Sequence, residues 1–206
     1  MNLTKLFETQ AALDECIVQE HPELRGQNNL DWKLLALQVE LGECANEWRG
    51  FKKWSKDQEP RTRVTCSVCD GSGLMNFVVK KTCRFCNGSG TVGNPLLEEY
   101  VDCLHFILSI GLEIECTPAT CGAALTVPND ITNQFMCLME GAFKIRHNLK
   151  YKDIHKSALD TAFSNYHRVL GIFKGLGEML GFTWDEVEMA YYEKNKVNHA
   201  RQANGY

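Results

Sequence analysis

Apolar residues recur at intervals of three and four through most of this chain, and the breaks in that rhythm mark its elements. The first helical run spans Leu3 to about Glu20 and stops at His21-Pro22. A polar loop with Gly26, Asn28 and Asn29 follows, and a second helix is expected from Asp31, read as its cap, to about Trp48, before Gly50. From 55 to 94 the helical rhythm disappears; two Gly-Ser-Gly triplets stand there, and NFVVKK is the best strand candidate. The rhythm returns after Pro95, a residue suited to a first turn, and continues through LLEEYVDCLHFILSI to Gly111. A loop with two prolines over 112–128 precedes a helix from about Asn129 to Asn148. A long helix is then expected from about Asp153 to Leu180, weakened by Gly171, Gly175 and Gly177. The last begins at Thr183, where TWDE forms a capping box, and runs to near Arg201. The pattern predicts an all-α, multi-helix bundle with a small irregular insert that contains short β-strands.

Polar residues that interrupt the apolar runs are the next signal. Glu40 and Glu43 sit in VELGE, and Glu99 and Asp102 in EEYVD. Spacing of i, i+3 puts both acids of a pair on one helix face, one turn apart. Glu40, Glu43 and Glu47 form a stripe bracketed by Leu37, Cys44 and Trp48 on one side and by Leu35 and Val39 on the other. In the next helix, apolar residues leave only Glu98, Glu99, Asp102, His105 and Ser109 as a polar strip. Acids bracketed in this way are expected to be partly buried, where they repel and protonate unless a cation compensates. Two readings stay open: lysines and arginines of neighbouring helices pair with them, or they form a cage of hard oxygen ligands that suits Mg²⁺. His105 is either a ligand contact or a satisfied core histidine.

Composition narrows the class. The chain has 206 residues, 44% hydrophobic and 23% charged, which fits one globular domain with a small insert. No apolar run approaches membrane-spanning length. The N-terminal stretch is polar and periodic, unlike a secretory signal, so a reducing cytoplasmic location is expected for the ten cysteines. A net charge of −4 argues against coating of nucleic acid by the whole chain.

At the C-terminus Lys194, Asn198 and Arg201 fall at i, i+4 and i+7 and share a face, and Tyr206 ends the chain. Such a row can hold successive phosphates, with Lys as a point charge and Arg as a bidentate partner. It can equally be a solvated last turn whose cations offset the helix dipole.

ELGECANEWRGFKKWSK, EEYVDCLHFILSIG and KNKVNHARQANGY together resemble the dimeric all-α dUTPases, within the wider MazG-like all-α NTP pyrophosphatases. The likeness rests on the ExxE and ExxD pairs and on a KNxxNxxRQxNGY signature present here in full, and it covers most of the chain outside the insert. It implies a homodimer of helical subunits that hydrolyses dUTP to dUMP and pyrophosphate with Mg²⁺. Glu40, Glu43, Glu99 and Asp102 would hold the metal, and one of the first pair would orient the attacking water. Lys194, Asn198, Arg201 and Tyr206 would bind phosphates. Gln10 and Asp14 fall where the family reads the base, Phe51 or Trp54 would lie by the pyrimidine, and Lys52 near the phosphates. A sister activity on dCTP or a non-standard nucleotide is the close alternative. A non-enzymatic nucleotide sensor is the alternative of another class.

The insert repeats CxxCxGxG at Cys66/Cys69 and Cys83/Cys86. Two such knuckles predict one tetrahedral Cys₄ zinc site with no open position, hence a structural ion. They resemble the knuckles of DnaJ-type chaperones over this short segment alone. The division expected is a helical catalytic domain, 1–54 and 95–206, with a zinc ribbon at 55–94. From Arg49 to Arg84 there are nine Lys/Arg against three Asp/Glu. That excess either attracts nucleic acid or an acidic protein, or merely shapes a rim. The six other cysteines, Cys16, Cys44, Cys103, Cys116, Cys121 and Cys137, read as small buried apolar residues.

Overall fold

A computed structural model describes residues 3–76, 79–119, 122–127, 130–151, 153–155 and 157–205. Six helices carry the fold: α1 (Thr4–Glu20), α2 (Leu30–Trp48), α3 (Pro95–Glu113), α4 (Ile131–Leu149), α5 (Ser157–Met179) and α6 (Trp184–Ala203). A single turn of 3₁₀ helix, Pro22–Leu24, follows α1. Two short antiparallel strands, β1 (Leu74–Asn76) and β2 (Lys81–Thr82), pair between α2 and α3. None of the helices is long and apolar enough to cross a membrane. Phe77 and Val78 of the expected NFVVKK strand, with Cys121 and Tyr206, lie outside the described residues.

α3 is buried nearly all round, as its apolar circumference demands, and forms the axis of the bundle. It packs against α1, α2, α5 and α6, while α4 packs against α2 and α5. Tyr100 of α3 stacks on Phe173 of α5 at 4.2 Å between ring centroids. Its hydroxyl donates to the Phe173 carbonyl at 2.8 Å, so a large aromatic is buried with its polar end satisfied. Tyr166 does the same from α5 to the Ile107 carbonyl, at 2.9 Å. α6 starts as its capping box requires: Glu186 N–H donates to the Thr183 hydroxyl, and Thr183 N–H to the Glu186 carboxylate.

Four expectations change. Asp31 is not a cap, because α2 starts at Leu30 and the Leu30 N–H donates to Asn28 Oδ1. Asp31 instead receives both the Nε and an Nη of Arg146, at 2.8 and 3.1 Å. α5 begins at Ser157, four residues late, after a turn closed by the Ile154 and His155 N–H groups on the Tyr151 carbonyl. Its glycines are close approaches rather than weak points. A Cβ on Gly175 would run into the Leu125 carbonyl, and Leu125 N–H donates to the Gly171 carbonyl at 2.9 Å. Gln134, fully buried, completes that clamp by donating to the Leu125 and Ile172 carbonyls. Finally, the Leu35 and Val39 flank of the acidic stripe is not buried in the single chain; those side chains are 63% and 49% exposed. Of the six cysteines expected in the core, Cys44, Cys103 and Cys116 are buried, whereas Cys16 and Cys137 are only partly so.

Candidate active site

Leu37, Leu41 and Cys44 of α2 pack into the core beside Val101, Cys103 and Leu104 of α3. That seam carries the neighbouring acids toward one another. Carboxylate oxygens of Glu40, Glu43 and Glu99 all lie within 4.8 Å of one another. No ion pair neutralises these three among the described residues. Partial burial, then the charges of Asp102, Glu43 and Glu99, pushes the Glu40 carboxyl up to about 7. Burial, then Asp102 and Glu43, does the same to Glu99, again to about 7. Three acids held this close at neutral pH are a donor set that a divalent cation relieves, so the residues fit Mg²⁺.

The other acids behave differently. Asp102 accepts from Lys194 Nζ at 2.6 Å, and the same ammonium reaches Glu98 at 2.9 Å. Glu47 is paired with Arg61 at 3.1 Å. Pairing with neighbouring cations therefore holds for two members of the acidic stripes, and for Glu98, while a cation cage fits Glu40, Glu43 and Glu99.

Beside the acids, α1 supplies a buried polar network. Gln10 is 3% exposed; its Nε2 donates to Asp14 Oδ1 at 2.7 Å. A carboxylate only accepts, so this bond fixes which way the amide points. Gln10 Oε1 then accepts from the Tyr191 hydroxyl at 2.9 Å and from His105 Nδ1 at 2.8 Å. His105 must carry its proton on Nδ1, which leaves Nε2 a bare acceptor, buried and with no hydrogen-bond partner among the described residues. Burial, aided by the Lys194 charge, pulls this imidazole down to about 3, so it stays neutral. Asp14 also accepts from Ser109 at 2.6 Å and faces the buried Lys33 at 3.5 Å, which is held by Glu113 at 2.8 Å.

One pocket of about 290 Å³ reaches from the α1 network to the edge of the acid cluster, where Glu40 lines it but Glu43 and Glu99 do not. Gln10, Asp14 and His105 line it together with Glu40 and Asp102, and Asn198 and Arg201 of α6 close it. Of the residues singled out in the sequence, Phe51, Lys52 and Trp54 do not line it; Trp54 is 78% exposed and meets Phe51 edge-on at 5.7 Å. Lys194 does not line it either, being occupied by Asp102 and Glu98. The aromatic walls are Phe106 and Trp32 instead. Nothing in the sequence reading pointed to Trp32, although it lies two turns before Glu40 on α2. A tryptophan on the exposed first turn of a helix was the available signal.

The second candidate site is separate from this pocket. Cys66, Cys69, Cys83 and Cys86 present four sulfurs within 4.8 Å of one another. Two of the Sγ pairs are 4.0 and 3.7 Å apart, close to the roughly 3.8 Å edge of a tetrahedron with Zn–S bonds of about 2.3 Å. Gly73 and Gly90 N–H groups donate to the Cys69 and Cys86 sulfurs at 3.2 and 3.3 Å. Burial pushes the Cys86 thiol up, but the Gly90 N–H and the Cys69 and Cys83 thiols outweigh it and bring it down to about 6. The knuckles cross so tightly that a Cβ on Gly73 would strike the Gly88 carbonyl, and one on Gly90 the Gly71 carbonyl. All four glycines have positive φ. The donor set and spacing fit zinc.

The family model described as dUTPase matches residues 2–78 and 88–206. No curated protein and no solved structure matches the chain at a significant level.

Proposed function

Because the chain belongs to the all-α dUTPase family, in which nucleotide hydrolysis is the implied chemistry, we propose that it is a Mg²⁺-dependent dUTP diphosphatase releasing dUMP and pyrophosphate. The observation that carries this reading is a pocket in which Glu40, a member of the carboxylate cluster, and Asp102 face the Gln10–His105 network and the α6 amide and guanidinium. Magnesium, when bound, neutralises phosphate oxygens and lowers the pKa of an attacking water. Glu40, Glu43 and Glu99 would hold the metal, Asp102 would join them by sharing its carboxylate between the ion and Lys194, and Glu40 or Glu43 would orient the water at the α-phosphorus. Asn198 and Arg201 bind phosphate oxygens from the opposite wall. Burial pushes the Asp102 carboxyl up, Lys194 partly offsets that rise, and the ammonium places a positive charge where the triphosphate approaches.

Selection of the base follows from the network. Asp14 fixes the Gln10 amide, whose remaining N–H is offered to a carbonyl oxygen, as uracil O4 requires. His105 Nε2 offers an acceptor, as uracil N3–H requires. Cytosine reverses both groups and would leave a donor facing a donor, which disfavours it by up to about 10⁴-fold. Helical residues 1–54 and 95–206 form the catalytic domain in this reading, and 55–94 a ribbon with structural zinc. A homodimer is part of it, supported by the exposed apolar side chains of Leu35 and Val39 on α2 and Met136 and Phe143 on α4.

Pyrophosphate release from dUTP, dCTP, dTTP and UTP, and orthophosphate release from dUDP, with Mg²⁺ test the reading. Turnover of dUTP, lowered about a thousandfold in Glu40→Gln, is expected, since removing a metal ligand forfeits several kcal/mol of transition-state stabilisation. Turnover of dCTP or another nucleotide alone would move the assignment to a sister pyrophosphatase. Nucleotide binding without turnover would make the protein a sensor.

A further inference from the structure

The segment between α2 and α3 presents a surface that the nucleotide pocket does not use. Its buried cluster consists of four cysteines, and several larger apolar side chains among the described residues stay outside it. Val68, Met75 and Phe85 are 48%, 52% and 67% exposed. These three line one groove of about 360 Å³, and among the described residues the only others lining it are Lys81 and Arg84. Among the described residues no acidic side chain shares the groove. Neither cation is in an ion pair among the described residues.

Charge is divided unevenly between this segment and the rest of the molecule. Residues 49–84 carry a surplus of six positive charges in a chain whose net charge is −4, so everything else carries a surplus of ten negative ones. Four thiolates on a divalent zinc would take two from the local surplus without reversing its sign. A polyanion free in solution is thus drawn to this segment rather than to the rest of the surface, and Lys81 and Arg84 are the cations that the groove itself presents.

We propose that the groove binds single-stranded nucleic acid, with a base stacked on Phe85 and adjacent phosphates on Lys81 and Arg84. Each half of the groove disfavours an alternative. A duplex hides its base faces and would leave Phe85, Val68 and Met75 in water. An acidic peptide would meet the two cations, but it covers Phe85 as well only where an aromatic side chain stands beside its charges. A single strand offers both, a π-face and a phosphate in every nucleotide, and stacking on an aromatic side chain tolerates any base.

The zinc-loaded full-length protein and a fluorescein-labelled thymidine 15-mer test this by anisotropy at low salt. Binding is expected to weaken with salt, and a blunt duplex of equal length to bind at least fivefold less tightly. Phe85→Ala should weaken binding at least fivefold, with zinc content and helical circular dichroism unchanged; that loss is the lower end of one base stack. If the alanine variant loses zinc, Phe85→Leu keeps the apolar bulk without the π-face and should show the same weakening with zinc retained. Lys81→Ala with Arg84→Ala should reduce the slope of log affinity against log salt by about 1.4, as expected for two phosphate contacts on a single strand. No binding at low salt overturns the proposal, as does binding indifferent to Phe85. A duplex bound as tightly as the strand, or heptaglutamate competing as well as the oligonucleotide, also overturns it; the latter would point to an acidic protein partner.

Discussion

In the helical body, the buried apolar cluster draws on all six helices, from Leu6 and Phe7 of α1 to Val187 and Tyr191 of α6. Between α2 and α3, the buried cluster is four thiols. Backbone geometry differs in the same sense. The body has helices whose hydrogen bonds form wherever the pattern of burial allows. The cysteine segment has left-handed glycines at 71, 73, 88 and 90 and two knuckles that touch through them. The body spreads its stability over many replaceable contacts. The segment concentrates its stability on one set of ligands, and a chain so poor in buried apolar area does not hold together without an ion.

Zinc removal gives the largest expected effect. Structural zinc in small domains contributes about 10–16 kcal/mol of apparent binding energy. Stripping the metal, or substituting Cys83→Ser, is expected to open residues 65–92 to protease while far-UV circular dichroism keeps its helical signal. Parallel loss of helicity would show that the two regions do not stand apart. The connection between them is narrow enough for the first outcome: Arg61 N–H donates to the Glu47 carbonyl and Leu96 N–H to the Arg61 carbonyl.

A core truncation probes the other side. Leu104 is fully buried on α3. Leu104→Ala is expected to cost about 3 kcal/mol, the sum of lost transfer energy and a residual cavity. In a chain of this size that lowers Tm by about 6–12 °C. Zinc content, measured by a colorimetric thiol-displacement assay, should not change.

Acid pairs, knuckles and the Thr183 cap are legible in the sequence because each is written within a few neighbouring residues. Glu40 and Glu43 need only helical spacing to share a face, and Cys66 and Cys69 only a turn. What could not be read depends on distant partners. Asp31 looks like a cap until Arg146 is brought beside it. Gly171 and Gly175 look like defects until Leu125 lies across them. His105 could be weighed only as ligand or core residue, because Gln10 and Tyr191, which set its tautomer, come from the two ends of the chain. Leu35 and Val39 have the right period for burial, yet no described element covers them.

Smaller in size is a pH effect confined to the body. Without magnesium, Glu40 and Glu99 titrate at about 7 against an ordinary value of 4.5. Between those values the folded protein holds more protons than the unfolded chain, so stability falls as pH rises through the window and levels off above it. Both side chains are half-buried, and solvent screening keeps the fall modest. Zinc-loaded, magnesium-free protein should therefore show a lower Tm at pH 8 than at pH 5. Mg²⁺ should raise Tm more at pH 8 than at pH 5, and Glu40→Gln should flatten the magnesium-free slope. A slope unchanged in that variant would mean that the acids on α2 and α3 do not set it.

Two hydroxyls of similar local role give the finest comparison. Thr183 caps α6 by accepting from the Glu186 N–H at 3.3 Å. Ser89 closes the second knuckle, donating to the Cys86 carbonyl at 2.7 Å and accepting from the Thr91 N–H at 3.2 Å. Removing either hydroxyl should cost about 1 kcal/mol, the usual worth of a cap. The loss should surface in different measurements. Thr183→Ala is expected to lower the helical Tm by about 2–4 °C with zinc affinity unchanged. Ser89→Ala is expected to leave the helical Tm in place and weaken zinc binding about fivefold, because folding of the knuckle and capture of the ion are one event. If Ser89→Ala moves the helical Tm as Thr183→Ala does, the segment and the bundle unfold as one cooperative unit, and the ion stabilises both.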